Sequence, residues 1–141
     1  MYIGLDIGTS GSKADLIDEH GNVLGSGQVS YSFSKTAGGY RELDTQAVWE
    51  AAEKCLYEAA SGRHVESITV SALGEAIVPI DRDGRPVGPG ITGTDIRGAE
   101  ELKEIEEAFG IRTLTDITGL NMSTIYSANK ILWLKKHQPE I

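Results

Sequence analysis

Residues 1–25, MYIGLDIGTSGSKADLIDEHGNVLG, hold three short apolar runs and two glycine-bearing turns. Residues 2–8 read as a strand, because Tyr2, Ile3, Leu5 and Ile7 are good strand formers. The run alternates little, which predicts a central strand buried on both faces. Residues 9–12 form a turn, and Lys13 to Asp18 a second strand. Glu19-His20-Gly21-Asn22 is another turn, and Val23 to Val29 a third strand. Two tight turns in succession predict an antiparallel meander.

Asp6 is out of place in this pattern. It is a poor strand former, and a carboxylate buried without a partner is costly. It also stands just ahead of Gly8-Thr9-Ser10-Gly11-Ser12-Lys13. Gly8 and Gly11 let the backbone turn sharply and approach a ligand. Backbone N–H groups in such a turn converge on phosphate oxygens. Thr9, Ser10 and Ser12 offer hydroxyls, and Lys13 a cation. Asp6 is then a candidate for holding Mg2+, through water, because magnesium keeps much of its hydration shell. Two better-known phosphate motifs do not fit. Walker A needs Lys directly after the last glycine, where Ser12 stands. The dinucleotide fingerprint opens a helix, whereas this turn opens a strand. The turn alone also suits a plain serine-rich hairpin; Asp6 tips the reading toward phosphate.

Beyond the meander, residues 30–43 are polar and read as a loop. Asp44 is a good helix cap, and Val48, Ala51, Ala52, Cys55, Leu56 and Ala59 mark one face of a helix to about residue 61. Val65 to Ala72 and Ala76 to Ile80 read as strands, with a turn at Asp81-Arg82-Asp83-Gly84-Arg85. An extended piece surrounds Ile91. Ile96 to Phe109 reads as a helix with Leu102, Ile105 and Phe109 inward, and Glu100, Glu101, Glu104, Glu106 and Glu107 on a solvated face. A short helix is expected over Leu114 to Thr118. A last one is expected over Thr124 to His137, with Ile125, Ala128, Leu132 and Trp133 inward. Three antiparallel strands, a helix, a further strand and more helices predict a mixed α/β sheet with a meander at one edge.

The 141 residues suit one domain of ordinary size. The net charge of −8 argues against a general binder of nucleic acid or of an acidic membrane, since both are polyanions. The single cysteine, Cys55, excludes an intrachain disulfide and is read as a buried small hydrophobe. No leader segment or long apolar run is read, so a cytoplasmic setting is expected.

The opening hairpin resembles that of the sugar kinase, heat-shock chaperone ATPase and actin superfamily, with its pattern Asp-x-Gly-Thr/Ser-Thr/Ser-x-x-Lys. Three further stretches are similar to the FGGY carbohydrate kinases within it, a group that includes xylulokinase, gluconokinase and glycerol kinase. They are GYRELDTQAVWEA, ITVSALGEAIVPIDRDGRPVGPGITGTDIRG and TGLNMSTIYSANKILWLKKHQPEI, in collinear order over nearly the whole chain. The resemblance implies a ribonuclease-H-like α/β domain with ATP between two lobes and sugar in the cleft. It implies ATP and Mg2+, with a sugar or polyol as substrate. Asp6, Gly8, Thr9, Ser10, Gly11 and Lys13 fall on the phosphate side. Glu75 matches a glutamate that accepts a hydrogen bond from a substrate hydroxyl, and Asp95 and Arg97 match a pair in the sugar-side loop. The residues themselves leave Glu75 open as a solvated loop residue, and Asp95 as the cap of the following helix.

Gly74, Gly93 and Ala72-Leu73 depart from the relatives at sugar-facing positions, so the resemblance selects no sugar. It also places the catalytic base and the adenosine pocket downstream. The chain is therefore expected to be residues 1–141 of a first lobe, inactive alone and prone to homo-oligomerise through exposed apolar surface. The alternative is a non-catalytic nucleotide- or sugar-binding module of the same superfamily.

Overall fold

The computed structural model describes residues 1–141. In chain order the elements are β1 Tyr2–Ile7, β2 Gly11–Ile17, β3 Val23–Ser30, β4 Ser34–Lys35, β5 Arg41–Leu43, α1 Thr45–Ala60, β6 Ser67–Ala72, β7 Gly90–Ile91, α2 Ala99–Phe109, α3 Ile111–Thr118 and α4 Ser127–His137. They fall into two compact units, Met1–Phe33 with Leu43–Gly74, and Ser34–Glu42 with Glu75–Ile141. No helix is long and apolar enough to cross a membrane.

The first unit is a four-stranded sheet in the order β3-β2-β1-β6. The meander forms as expected, with β1 antiparallel to β2 and β2 antiparallel to β3. β6 joins the other side of β1, parallel to it. A parallel partner needs a crossover connection, which contains α1. Asp44 caps α1: its carboxylate accepts from the amides of Gln46 at 3.0 Å and Ala47 at 3.1 Å. One helix face then buries Ala51, Ala52, Cys55 and Ala59. These join Ile3 and Leu5 of β1 and Ala14 and Leu16 of β2 in the core. Ile3 lies opposite Leu16 and Leu5 opposite Ala14, so the four share one sheet face. The helix helped by small residues comes close to the sheet. A Cβ added at Gly27 in β3 would stand 2.5 Å from the Cys55 carbonyl oxygen. The Cys55 thiol donates to the Ser12 carbonyl at 3.1 Å, and burial pushes its pKa up. Cys55 is thus the buried small side chain expected.

β1 is not buried on both faces. Ile3 and Leu5 are buried, while Tyr2, Gly4 and Asp6 are exposed. The alternation is there, but Tyr2 and Gly4 mask it: one is an apolar residue on the open face and the other has no side chain to declare a face. The stretch 30–43 is not all loop either. β4 and β5 pair antiparallel, Ser34 opposite Glu42 and Lys35 opposite Arg41. Two or three polar residues carry too little periodicity to be read as strands.

In the second unit, β7 lies beside β5. The expected strand over 76–80 is reduced to isolated bridges, Ile77 with Ile91 and Ile80 with Pro86. They flank the turn at 81–85, which Asp81 holds by accepting from the amides of Asp83 and Arg85. α2 starts at Ala99 instead of Ile96, after Gly98 in the left-handed region. Phe109 is exposed instead of inward, and Glu101, assigned to the solvated face, is buried. Its carboxylate faces His137 at 3.3 Å and Lys136 at 3.8 Å, both on α4. Lys136 also pairs with Glu104. α3 begins three residues earlier than expected and α4 three later. α4 buries Asn129 and Lys130, while Ile125 and Ala128 are exposed.

Candidate functional site

The hairpin between β1 and β2 presents Asp6 and Lys13 on the open face of the sheet. Asp6 and Lys13 are directly opposed across the two strands, so their side chains share a face. Both are exposed, and no ion pair closes between them. The burial cost inferred for Asp6 therefore does not apply, and its carboxylate is free for a ligand. At the turn, the Gly8 amide donates to the Gly11 carbonyl at 2.9 Å. The Thr9 and Ser10 amides, both in the exposed tip, donate to nothing in the chain. The turn is braced from β3's end: the Tyr31 hydroxyl donates to the Gly8 carbonyl at 2.6 Å, and the Tyr31 amide to the Ser10 carbonyl at 3.1 Å.

Two readings of this turn change. Gly11 is required by packing: a Cβ there would meet the Val29 carbonyl oxygen at 2.6 Å. Ser12 faces the core, fully buried, with no hydrogen-bond partner for its hydroxyl, so it cannot serve a ligand at the exposed tip. Thr9, Ser10, Lys13 and Asp6 remain. An exposed, unpartnered carboxylate beside free amides and an ammonium fits a magnesium ion that arrives with a polyphosphate, since such ions take one or two protein carboxylates plus phosphate oxygens. No group of three or more His, Cys, Asp or Glu side chains is placed to hold a metal ion.

In the second unit, Asp95 and Arg97 form one buried assembly, 2% and 3% exposed. Asp95 Oδ1 accepts from the Arg97 amide and Nε, both at 2.8 Å. Its Oδ2 accepts from Arg97 Nη2 at 2.9 Å and from the Arg41 amide at 2.6 Å. All four acceptor positions of the carboxylate are filled. Arg97 Nη1 reaches Glu42 at 2.9 Å. The guanidinium lies 4.6 Å from the Tyr40 ring centre and 5.4 Å from that of Trp133. Burial by itself raises the Asp95 pKa. The hydrogen bonds from Arg97 and the Arg41 amide outweigh it and hold the carboxyl below its ordinary value. Burial likewise lowers Arg97, and Asp95 with Glu42 more than restore it. Asp95 does not cap α2, whose cap is Gly98.

Glu75 is exposed, yet it is not a free loop residue. It adopts φ = 56°, the left-handed region, and its Oε2 accepts from the Ser127 amide at 2.9 Å and hydroxyl at 3.0 Å. Lys130, fully buried, donates to the carbonyls of Thr124 at 2.7 Å, Ile125 at 2.9 Å and Tyr126 at 3.3 Å. Burial pulls its pKa down, and Asp95 and Glu75 offset part of that.

The sequence reading missed Glu42, Tyr40, Ser127 and Lys130. Tyr40 and Glu42 stand in GYRELD and Ser127 and Lys130 in YSANK, stretches already singled out as wholes. Nothing local marks their partners, which lie 50 or more positions away for Glu42 and Ser127.

Over residues 1–141 the chain matches the FGGY family of carbohydrate kinases, N-terminal domain. It is 31% identical to a xylulose kinase of Staphylococcus xylosus over 98% of this chain and 29% of that protein. It is 29% identical to a glycerol kinase of Thermococcus gammatolerans over 97% of this chain and 29% of that protein. The chain thus spans less than a third of the length of these relatives. Among solved structures, the xylulose kinase from Rhodospirillum rubrum superposes with a TM-score of 0.91 at 26% identity, over 98% of this chain and 29% of that one. The mixed α/β sheet is therefore that of the actin and sugar-kinase fold, as expected. With the whole of its length matched, the chain belongs to the FGGY family of carbohydrate kinases.

Proposed function

We propose that these 141 residues are the first part of the first lobe of an ATP-dependent kinase that transfers the γ-phosphoryl group to a hydroxyl of a sugar or polyol. The observation that carries this reading is the β1–β2 hairpin, with Asp6 and Lys13 opposed on an open face beside the unused amides of Thr9 and Ser10. Family membership supports it. Thr9 and Ser10 donate from backbone and hydroxyl to phosphate oxygens, Gly8 and Gly11 shape the turn, and Lys13 adds positive charge along the same face. Asp6 would hold the Mg2+ that accompanies the nucleotide, which would supply charge neutralisation on the phosphates.

On the sugar side, Glu75 accepts from a substrate hydroxyl. Arg97 keeps unused N–H donors beyond its bonds to Asp95 and Glu42, and Asp95 holds it in place. Such transfer rests mainly on positioning and electrostatics, plus a base for the hydroxyl proton. That base is assigned to a part of the polypeptide beyond these residues, so the 141 residues alone do not turn over. Xylulose and glycerol, the substrates in the names of the relatives above, are the first candidates, and the cytoplasm is the proposed compartment.

The test is ADP release by the full-length protein on D-xylulose, D-gluconate and glycerol. Turnover of at least one is expected. Asp6→Ala should abolish it while changing stability by no more than about 0.5 kcal/mol, because Asp6 is exposed and unbonded. No turnover on any of the three, or normal activity in Asp6→Ala, would overturn the reading.

A further inference from the structure

We infer that Ser127 is a positioning residue for Glu75, fixing one carboxylate oxygen so that the other is presented to the substrate. The inference rests on the proposed sugar-side role of Glu75. Four observations point to it. A glutamate at φ = 56° is strained, and such a conformation persists only where its surroundings hold it. Both bonds that hold it come from Ser127, through the amide and the hydroxyl, and both go to Oε2. Oε1 has no partner in the chain, so its lone pairs are left for a ligand hydroxyl. Ser127 itself cannot drift. It is the first residue of α4, and the three carbonyls before it are pinned by the buried Lys130 ammonium, with Asn129 Nδ2 donating to the Thr124 carbonyl as well.

The arrangement also has a bland reading, in which Glu75 is a borrowed cap for α4. The Tyr126 cap position supplies no side-chain bond, and a carboxylate is favoured at a helix N-terminus. The two readings part on what happens when only the hydroxyl is removed. Ser127→Ala keeps the amide, and with it the cap, but frees the carboxylate to rotate about its remaining bond. A cap role then leaves substrate kinetics alone. A positioning role weakens sugar binding and spares ATP.

The test uses the full-length kinase and whichever of D-xylulose, D-gluconate and glycerol it phosphorylates fastest. Ser127→Ala should raise the sugar KM roughly five- to tenfold, about what one ordinary hydrogen bond contributes, because the Ser127 amide still holds the carboxylate. The ATP KM should stay within about twofold, and Ser127→Thr should restore the sugar KM. An unchanged sugar KM in Ser127→Ala, or equal rises in both KM values with a lowered Tm, would overturn the inference. Glu75→Gln separates the two layers. If it leaves the sugar KM unchanged, the sugar-side reading fails and this inference falls with it. If it raises the sugar KM and Ser127→Ala does not, only the positioning role falls. A wild type that phosphorylates none of the three removes both.

Discussion

Asp95→Ala should cost more stability than any surface ion pair could. The substitution removes the acceptor of four N–H groups: the Arg97 amide, Nε and Nη2, and the Arg41 amide. It leaves the Arg97 guanidinium, 3% exposed, with Glu42 as its one ionic partner. Breaking a buried pair from one side costs about 3–5 kcal/mol, against about 0–1 kcal/mol for an exposed pair. The lower end is expected here, because Glu42 and the Tyr40 and Trp133 rings still face the cation. Trp133 reports on this cluster, since its ring also meets Tyr40 edge-on at 5.7 Å and stacks on His137 at 4.8 Å. The chain has two tryptophans, and the other, Trp49, is 67% exposed on α1. A Trp49→Phe background therefore leaves Trp133 as a single fluorescent probe. With a urea m-value near 2 kcal/mol/M, the Trp133 transition should move down by about 1.5–2 M. Adding Arg97→Met should recover part of that loss, because the uncompensated charge is then gone. A shift below about 0.5 M, typical of a solvated pair, would refute the reasoning, as would a double variant no more stable than the single one.

The same cluster sets an acid limit. Asp95 has its pKa held below the ordinary value in the folded state, so its contribution is complete above about pH 4 and is lost as pH falls through the lowered value; the urea midpoints of wild type and Asp95→Ala should converge at acid pH. Gly27→Ala should destabilise by about 1–3 kcal/mol in a thermal melt, because the new methyl stands 2.5 Å from a backbone carbonyl that cannot rotate away. Gly4→Ala is the control: its Cβ meets nothing within 4 Å, and its melting temperature should not fall and should rise slightly, since alanine loses less backbone freedom in a strand.

Much of the fold is legible in the residues because it is set by local rules. Gly21 takes a positive φ between β2 and β3, Asp44 caps α1, and the small residues of α1 fall on one face at helical spacing. The acidic Glu101 and the cationic Lys130 show where such rules stop. Each has the residue type of a solvated position and is buried, because partners supplied by the fold satisfy it: His137 and Lys136 for Glu101, three backbone carbonyls for Lys130. Phe109 and Ile125 show the converse, apolar side chains at helical spacing that stay exposed.

The candidate site divides the same way. The residue types, order and spacing of Asp6, Gly8, Thr9, Ser10, Gly11 and Lys13 determined that a phosphate-binding hairpin could exist, because a hairpin's register follows from contiguous chain. Which face those groups take was decided by tertiary packing. α1 covers one side of the sheet, which buries the Ser12 hydroxyl and leaves Asp6 and Lys13 open. Tertiary structure alone also brought Glu42 to Arg97 across 55 positions and Ser127 to Glu75 across 52. Hydrogen bonds at such separations depend on where the chain returns in space, and no local pattern of residues encodes that return.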